Sequence, residues 1–167
     1  MARHKYSFKV AENMAKVVGR NLSISTKHAI EISGTLRGMN LDKSKQLLAA
    51  VIKKKRPILM RKFTEGAGHR AGVGAGKYPV NASKEILLLL ESVTSNAQAK
   101  GLATGKLEIV HINAHRGTNI PHRGRQKRRL MKQTHVEVVV AEESSKETKA
   151  KTTAKSEKVN VKRDAQK

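Results

Sequence analysis

LEIVHINAHRGTNIPHRGRQKRRLMKQTHVEVVVA, residues 107–141, decides how this chain folds. Its two ends are β-branched runs, Leu107–Asn113 and Thr134–Ala141, and its middle is cationic and broken by Gly117, Pro121 and Gly124. Apolar strands flanking a turn-rich segment predict a long antiparallel hairpin over 106–141. No Asp or Glu occurs between Ile109 and Val136, whereas Arg116, Arg123, Arg125, Lys127, Arg128, Arg129 and Lys132 do, with His111, His115, His122 and His135. So polar a middle has nothing apolar to bury and needs a polyanion to lie against. Extended from Asn113 to Thr134, the arm is expected to reach on the order of 35 Å beyond its sheet.

The rest of the chain agrees with that partner. Lys and Arg number 35 against 13 Asp and Glu, a formal net charge of +22 on 167 residues. Such an excess repels itself in a compact state and implies an anionic partner. Nucleic acid is the expected class, because the longest aliphatic run, Ile86–Leu90, is far too short for a membrane span. The aromatic residues are Tyr6, Phe8, Phe63 and Tyr78 alone, too few for base-stacking platforms. Phosphate and shape contacts are therefore expected to dominate. The absence of cysteine excludes disulfides and thiolate metal sites and fits a reduced cytoplasm.

Working outward, Tyr6, Phe8 and Val10 alternate with polar residues and predict a short strand. Ser23 or Ser25 offers a cap for a first helix carrying Ala29, Ile32 and Leu36 and ending at Gly38. Asn40 caps a second, with Leu47, Leu48, Val51 and Ile52 as its buried stripe. Lys53, Lys54, Lys55 and Arg56 are expected in its last turn and Pro57 as its stop. Residues 65–77 are glycine-rich, predicting a flexible stretch or one that lies close to sugar-phosphate. Its end, GVGAGKY at 72–78, fails as a nucleotide loop: Ala71 stands where a glycine is required and Tyr78 where Ser or Thr is. Pro79 and Asn81 open the longest helix, through Lys100, with Ala82, Ile86, Leu89, Leu90, Val93 and Ala97 on one face and Gly101 as its end.

From Ala141 to Lys167 the composition changes to Lys, Ser, Thr, Ala and Glu, which predicts a disordered tail over 142–167. The tail carries eight basic and five acidic residues, so the charge excess belongs to residues 1–140.

Catalysis finds no support: the carboxylates before the tail are scattered, with no paired acids and no nucleophile–base pattern. His111 and His115 have no cysteine or nearby carboxylate in sequence to complete a metal set. No enzyme, cofactor, metal or small-molecule substrate is expected. The fold expected is α+β, a small antiparallel sheet against three helices with a long basic hairpin.

The order of a capped basic helix, a Lys-rich second helix, PVNASKEILLLLESVTSNAQAKGL (79–102), LEIVHINAHRG (107–117), HRGR (122–125) and THVEVVV (134–140) resembles the large-subunit ribosomal protein twenty-two family, protein seventeen in eukaryotes. The glycine-rich insert before Tyr78-Pro79 resembles the archaeal and eukaryotic branch. In the family's distal Arg-Ala-x-Gly-Arg element only Gly124-Arg125 matches, with Pro121 and His122 in the Arg-Ala places.

The resemblance implies a structural constituent of the cytoplasmic large ribosomal subunit that binds several domains of its RNA, aids assembly and threads a hairpin to the peptide exit tunnel wall. Neighbouring ribosomal proteins are implied as partners, with the nascent polypeptide as a further candidate. Residues expected on RNA are Arg3, His4, Lys5, Lys9, Arg20, Lys27, His28, Arg37, Lys53, Lys54, Lys55, Arg56, Arg61, Lys62, His69, Arg70, Lys77, Asn113 and the arm's cations and histidines. The expected tunnel tip is Gly117, Thr118, Asn119, Ile120, Pro121, His122, Arg123, Gly124 and Arg125. The alternative class is a histone-like architectural DNA-binding protein, with Ile120 and Pro121 as a wedge.

Overall fold

The computed structural model describes residues 5–142. Arg3, His4 and residues 143–167 of the predicted tail lie outside the described residues; Glu142, placed in that tail, instead ends a strand paired with Leu107. Three strands form the main sheet: β1 (Met14–Leu22), β5 (Leu107–Arg116) and β6 (Thr134–Glu142), in the order β1-β6-β5, all antiparallel. The β5–β6 pairing is the predicted hairpin, in register from Leu107↔Glu142 to Arg116↔Thr134.

Central β6 is buried on both faces, which explains the near-continuous apolar run VEVVVA. Val136, Val138 and Val140 enter the helical core. Glu137, Val139 and Ala141 are buried as well, on the face away from it. In β5 a bulge between Ile109 and His111 inserts Val110 as an unpaired extra residue. Strict alternation after Ile109 would turn Ile112 outward; the bulge keeps Leu107, Ile109, Ile112 and Ala114 on the core side.

Three helices cover that side: α1 (Thr26–Leu36), α2 (Leu41–Ile52) and α3 (Val80–Ala99). Ala29, Ile32 and Leu36 are buried at helical spacing, and Gly38 ends α1 at φ +74°, its N–H donating to the Ile109 carbonyl at 2.9 Å. Ser25 occupies the N-cap of α1 but its hydroxyl makes no capping bond. Asn40 does cap α2, its side-chain oxygen accepting from the Asp42 N–H at 3.0 Å. Ala82, Ile86, Leu90, Val93 and Ala97 form the buried stripe of α3, with Leu89 only partly buried against the core. Ile32, Leu48, Ile86 and Leu90 are fully buried, so truncating any one to Ala costs about 2–5 kcal/mol.

Four expectations are corrected. Residues 6–10 are not a strand: this segment lies on the outer face of β6, where the Ser7 N–H donates to Glu137 at 2.9 Å and Phe8 stacks on His111 at 5.2 Å. The amino-terminal strand is β1, an edge of the sheet, inside the stretch read as merely basic. There Lys16 stands 5.0 Å over the Tyr6 ring and Gly19 makes room for α3; a Cβ on Gly19 would lie 2.9 Å from Leu89. Second, α2 ends at Ile52, and Lys54 adopts φ +57°, so Lys54, Lys55 and Arg56 stand beyond the helix rather than in its last turn. Third, the glycine-rich stretch is built into a second small sheet, β2 (Ile58–Leu59), β4 (Gly74–Lys77) and β3 (His69–Arg70) in the order β2-β4-β3. Gly76 leaves room there for close neighbours: a Cβ would lie 3.0 Å from the Arg70 side chain and 3.1 Å from Pro57.

The fourth concerns the arm's reach. The regular ladder already takes in Asn113–Arg116, so the arm outside it begins at Gly117. Gly117 N–H still meets Gln133 O in the ladder's register (2.9 Å); after a one-residue slip, Met131 N–H donates to Ile120 O (2.8 Å) and His122 N–H to Arg129 O (2.9 Å). A turn with a short 3-10 segment, Gly124–Gln126, closes the tip. Residues spent on the turn add no length, so the arm projects on the order of 20 Å from the ladder.

Candidate nucleic-acid interface

The arm's tip exposes Arg123, Arg125, Lys127, Arg128 and Arg129 on a backbone held by those cross-strand bonds. Exposed apolar side chains stand beside them: Ile120 at 47%, next to the Pro121↔Leu130 bridge, and Leu130 at 56%, within it. The base is fastened to the body by hydroxyls. Thr134 Oγ1, fully buried, donates to the Ile24 carbonyl at 3.0 Å and meets Thr26 Oγ1 at 2.9 Å.

The body's cations are distributed unevenly. Lys5 and Lys9 are exposed on the amino-terminal segment, Arg20 on β1, His69 and Arg70 on β3, and Lys53, Lys54, Lys55 and Arg56 beyond α2. Arg37 is exposed but engaged, Nη2 donating to the Ile112 carbonyl at 2.8 Å. Lys27 and His28, Lys62, Lys77 and Lys132 meet around one cleft of about 500 Å³, though they are far apart in sequence. An adjoining groove of about 550 Å³ brings Arg116, Asn119 and Leu130 of the arm against Ile30 and Phe63.

The loop that carries Lys62 is fixed by a buried acid. Glu31 of α1, 5% exposed, accepts three backbone N–H groups: Lys62 at 2.7 Å, Phe63 at 2.9 Å and Arg61 at 3.1 Å. Burial alone would raise its pKa; the three donors, aided by the Lys62 charge, outweigh burial and hold it below the ordinary value. The main chain at Arg61–Phe63 is thereby pinned while the Arg61 and Lys62 side chains stay exposed.

The histidines behave differently from the arginines. His111 Nε2 lies 3.0 Å from Ser7 Oγ and 4.0 Å from Glu137, and His115 Nε2 lies 3.3 Å from Glu137. Asn113 is turned to His115 at 3.3 Å, and its Oδ1 accepts the Ala114 N–H at 2.9 Å. His135 Nδ1 accepts from the Asn21 N–H at 3.0 Å. These groups therefore help hold the amino-terminal segment and strand edges together. Ser7 was not singled out in the sequence, because its partners His111 and Glu137 lie more than a hundred residues away. Burial lowers the His111 pKa, Glu137 opposes that, and Arg37 and His115 reinforce it.

His111 and His115 both lie within 4.0 Å of the Glu137 carboxylate. Among the described residues, no helix is long and apolar enough to cross a membrane, and no group of three His, Cys, Asp or Glu is placed to hold a metal ion.

Residues 17–141 match the family described as ribosomal protein L22p/L17e. The chain is 40% identical to a large ribosomal subunit protein uL22 of Methanocaldococcus jannaschii, over 85% of this chain and 97% of that one. It is 37% identical to the protein of that name from Hyperthermus butylicus, over 83% and 96%, and 43% identical to that of Thermoplasma acidophilum, over 69% and 76%.

Proposed function

The chain belongs to the L22p/L17e family of ribosomal proteins, in its archaeal-type branch, and from that membership we propose that it binds large-subunit ribosomal RNA through its arm and the cationic faces of its body. It is a structural, non-enzymatic component of the large ribosomal subunit in the cytoplasm. The observation that carries the RNA reading is the run of exposed cations on the arm, Arg123, Arg125, Lys127, Arg128 and Arg129, in a stretch with no Asp or Glu between Ile109 and Val136. Such a run of cations is completed by a polyanion, whose phosphates release counterions as they are neutralised.

In this reading Arg123–Arg129 clamp phosphates, since a planar guanidinium grips two phosphate oxygens at once. Lys53–Arg56, Arg61, Lys62, His69 and Arg70 contact further RNA segments, so one protein bridges several RNA domains and aids their assembly. The tip, Gly117–Arg125, reaches the wall of the peptide exit tunnel, where Ile120 is available to a nascent chain. Neighbouring ribosomal proteins meet the rest of the surface.

Purified large subunits are expected to hold the chain at one copy each; their lacking it overturns the reading. Competition separates RNA from DNA: duplex DNA of matched length should displace a ribosomal RNA fragment poorly. Ready displacement would favour an architectural DNA-binding role.

A further inference from the structure

The cleft at the root of the arm is lined by four lysines drawn from separate parts of the chain. Lys27 comes from the opening turn of α1, Lys62 from the loop pinned by Glu31, Lys77 from the end of β4, and Lys132 from the arm's returning limb. His28 lines the same cleft, and Glu65 is its one carboxylate among the described residues. Two of the ammonium groups are held in place: Lys77 Nζ donates to the Glu65 carbonyl at 2.9 Å, and Lys27 Nζ stands 5.5 Å over the Phe63 ring. None of the four forms an ion pair with Glu65. Four like charges around one open cleft repel each other, and the repulsion acts between the body and Lys132, the only one of the four on the arm.

We propose that this cleft is a phosphate pocket that takes one backbone phosphate of the bound RNA and thereby fixes the root of the arm against the body. The proposal deepens the RNA-binding reading and rests on it. A phosphate there replaces repulsion between Lys132 and the body lysines with attraction to a shared anion. The contact is made at the arm's base, so a small change in contact there swings the tip through a larger distance. His28 is positioned to join in. Burial, then Lys77 and then Lys132 lower its pKa, and an anion between those groups favours its charged form. Lys62, Glu65 and Lys27 are the other charged groups lining the cleft, and Tyr78 lines a further cleft that shares His28 and Lys132 with it.

The test uses the full chain, with sulfate as the inorganic probe at low millimolar concentration and constant ionic strength, and a ribosomal RNA fragment as the second probe. Sulfate should raise the melting temperature saturably, by about 3–6 °C at roughly ten times its dissociation constant. It should also slow amide exchange at Met131 and Gln133. K132M, a change at an exposed side chain, and K77M/K132M should lose both responses, while K43M/K84M, at exposed helix positions, keeps them. With RNA, K77M/K132M should reduce the slope of log affinity against log salt by about 0.7–0.9 for each phosphate released. Equal sulfate responses in wild type and K132M would overturn the pocket. A sulfate response lost in the variants with the RNA slope unchanged would mean a free-anion site, overturning its assignment to RNA. The sulfate readout does not depend on RNA binding, so failure of the RNA reading itself is recognisable separately.

Discussion

The Glu31 carboxylate accepts a hydrogen bond from the Lys62 backbone N–H at 2.7 Å, with Arg61 and Phe63 donating alongside. Glu31→Gln places an amide N–H₂ where an acceptor is needed and should destabilise the fold by about 1.5–3 kcal/mol. Thermal or urea unfolding measures it. A loss below half a kilocalorie would mean the loop is held by something else.

The same carboxyl sets an acid limit. Its folded pKa lies below the ordinary 4.5, so its stabilising contribution is complete above that value and is lost as pH falls through the folded pKa. Stability measured between pH 6 and 3 should fall more steeply for the wild type than for Glu31→Gln.

His111 acts in a higher window. Its pKa is lowered from the ordinary 6.5, so the neutral ring is favoured by folding; its contribution is present above 6.5 and lost as pH falls through the folded value. His111→Phe keeps the stacking on Phe8 and removes the titration. The wild type should lose stability from pH 7.5 to 5.5 and the variant should show a flatter profile; parallel curves would contradict the assignment.

Gly117 lies at the start of the free arm, where an added Cβ would stand 3.2 Å from the backbone carbon and oxygen of Gln133. Gly117→Ala must part the two limbs. Amide exchange at Met131 and His122 should quicken, with the core amides of α3 unchanged and a global loss of only about 1 kcal/mol. Unchanged arm protection would show that the limbs tolerate the methyl.

Arm cations should act through salt. Replacing Arg128 and Arg129 with Ala should weaken binding to ribosomal RNA fragments of different sequence by similar factors. The salt slope should fall by about 0.7–0.9 per lost phosphate contact. A sequence-dependent loss would argue for base contacts instead.

Much of this molecule is written in short-range pattern. The two β-branched runs, the Asn40 cap, Gly38 and Gly101 at helix ends and the stripe of α3 depend on neighbours within a few residues, so they could be read directly. Met14–Leu22 could not. Its strand exists because β6 offers an edge, and its Lys16, Arg20 and Asn21 face away from the helical core. Tyr6–Val10 misled in the opposite sense, since its alternation reflects packing across the sheet's outer face and not membership of the sheet. The glycine-rich stretch looked unstructured because its ladder is made by backbone atoms, with few side chains to advertise it.

The sequence by itself determined that the chain carries a cationic hairpin on a small aliphatic core and needs a polyanion, because charge and alternation are local properties of the chain. Only the tertiary structure decided which groups share a place. It made His111 a partner of Ser7 and Glu137 and gathered Lys27, Lys62, Lys77 and Lys132 around one cleft. It also shortened the hairpin's free reach, by drawing Asn113–Arg116 into the sheet. Such contacts depend on loop closure and strand register, which are set by the packing of the whole core and not by any window of residues.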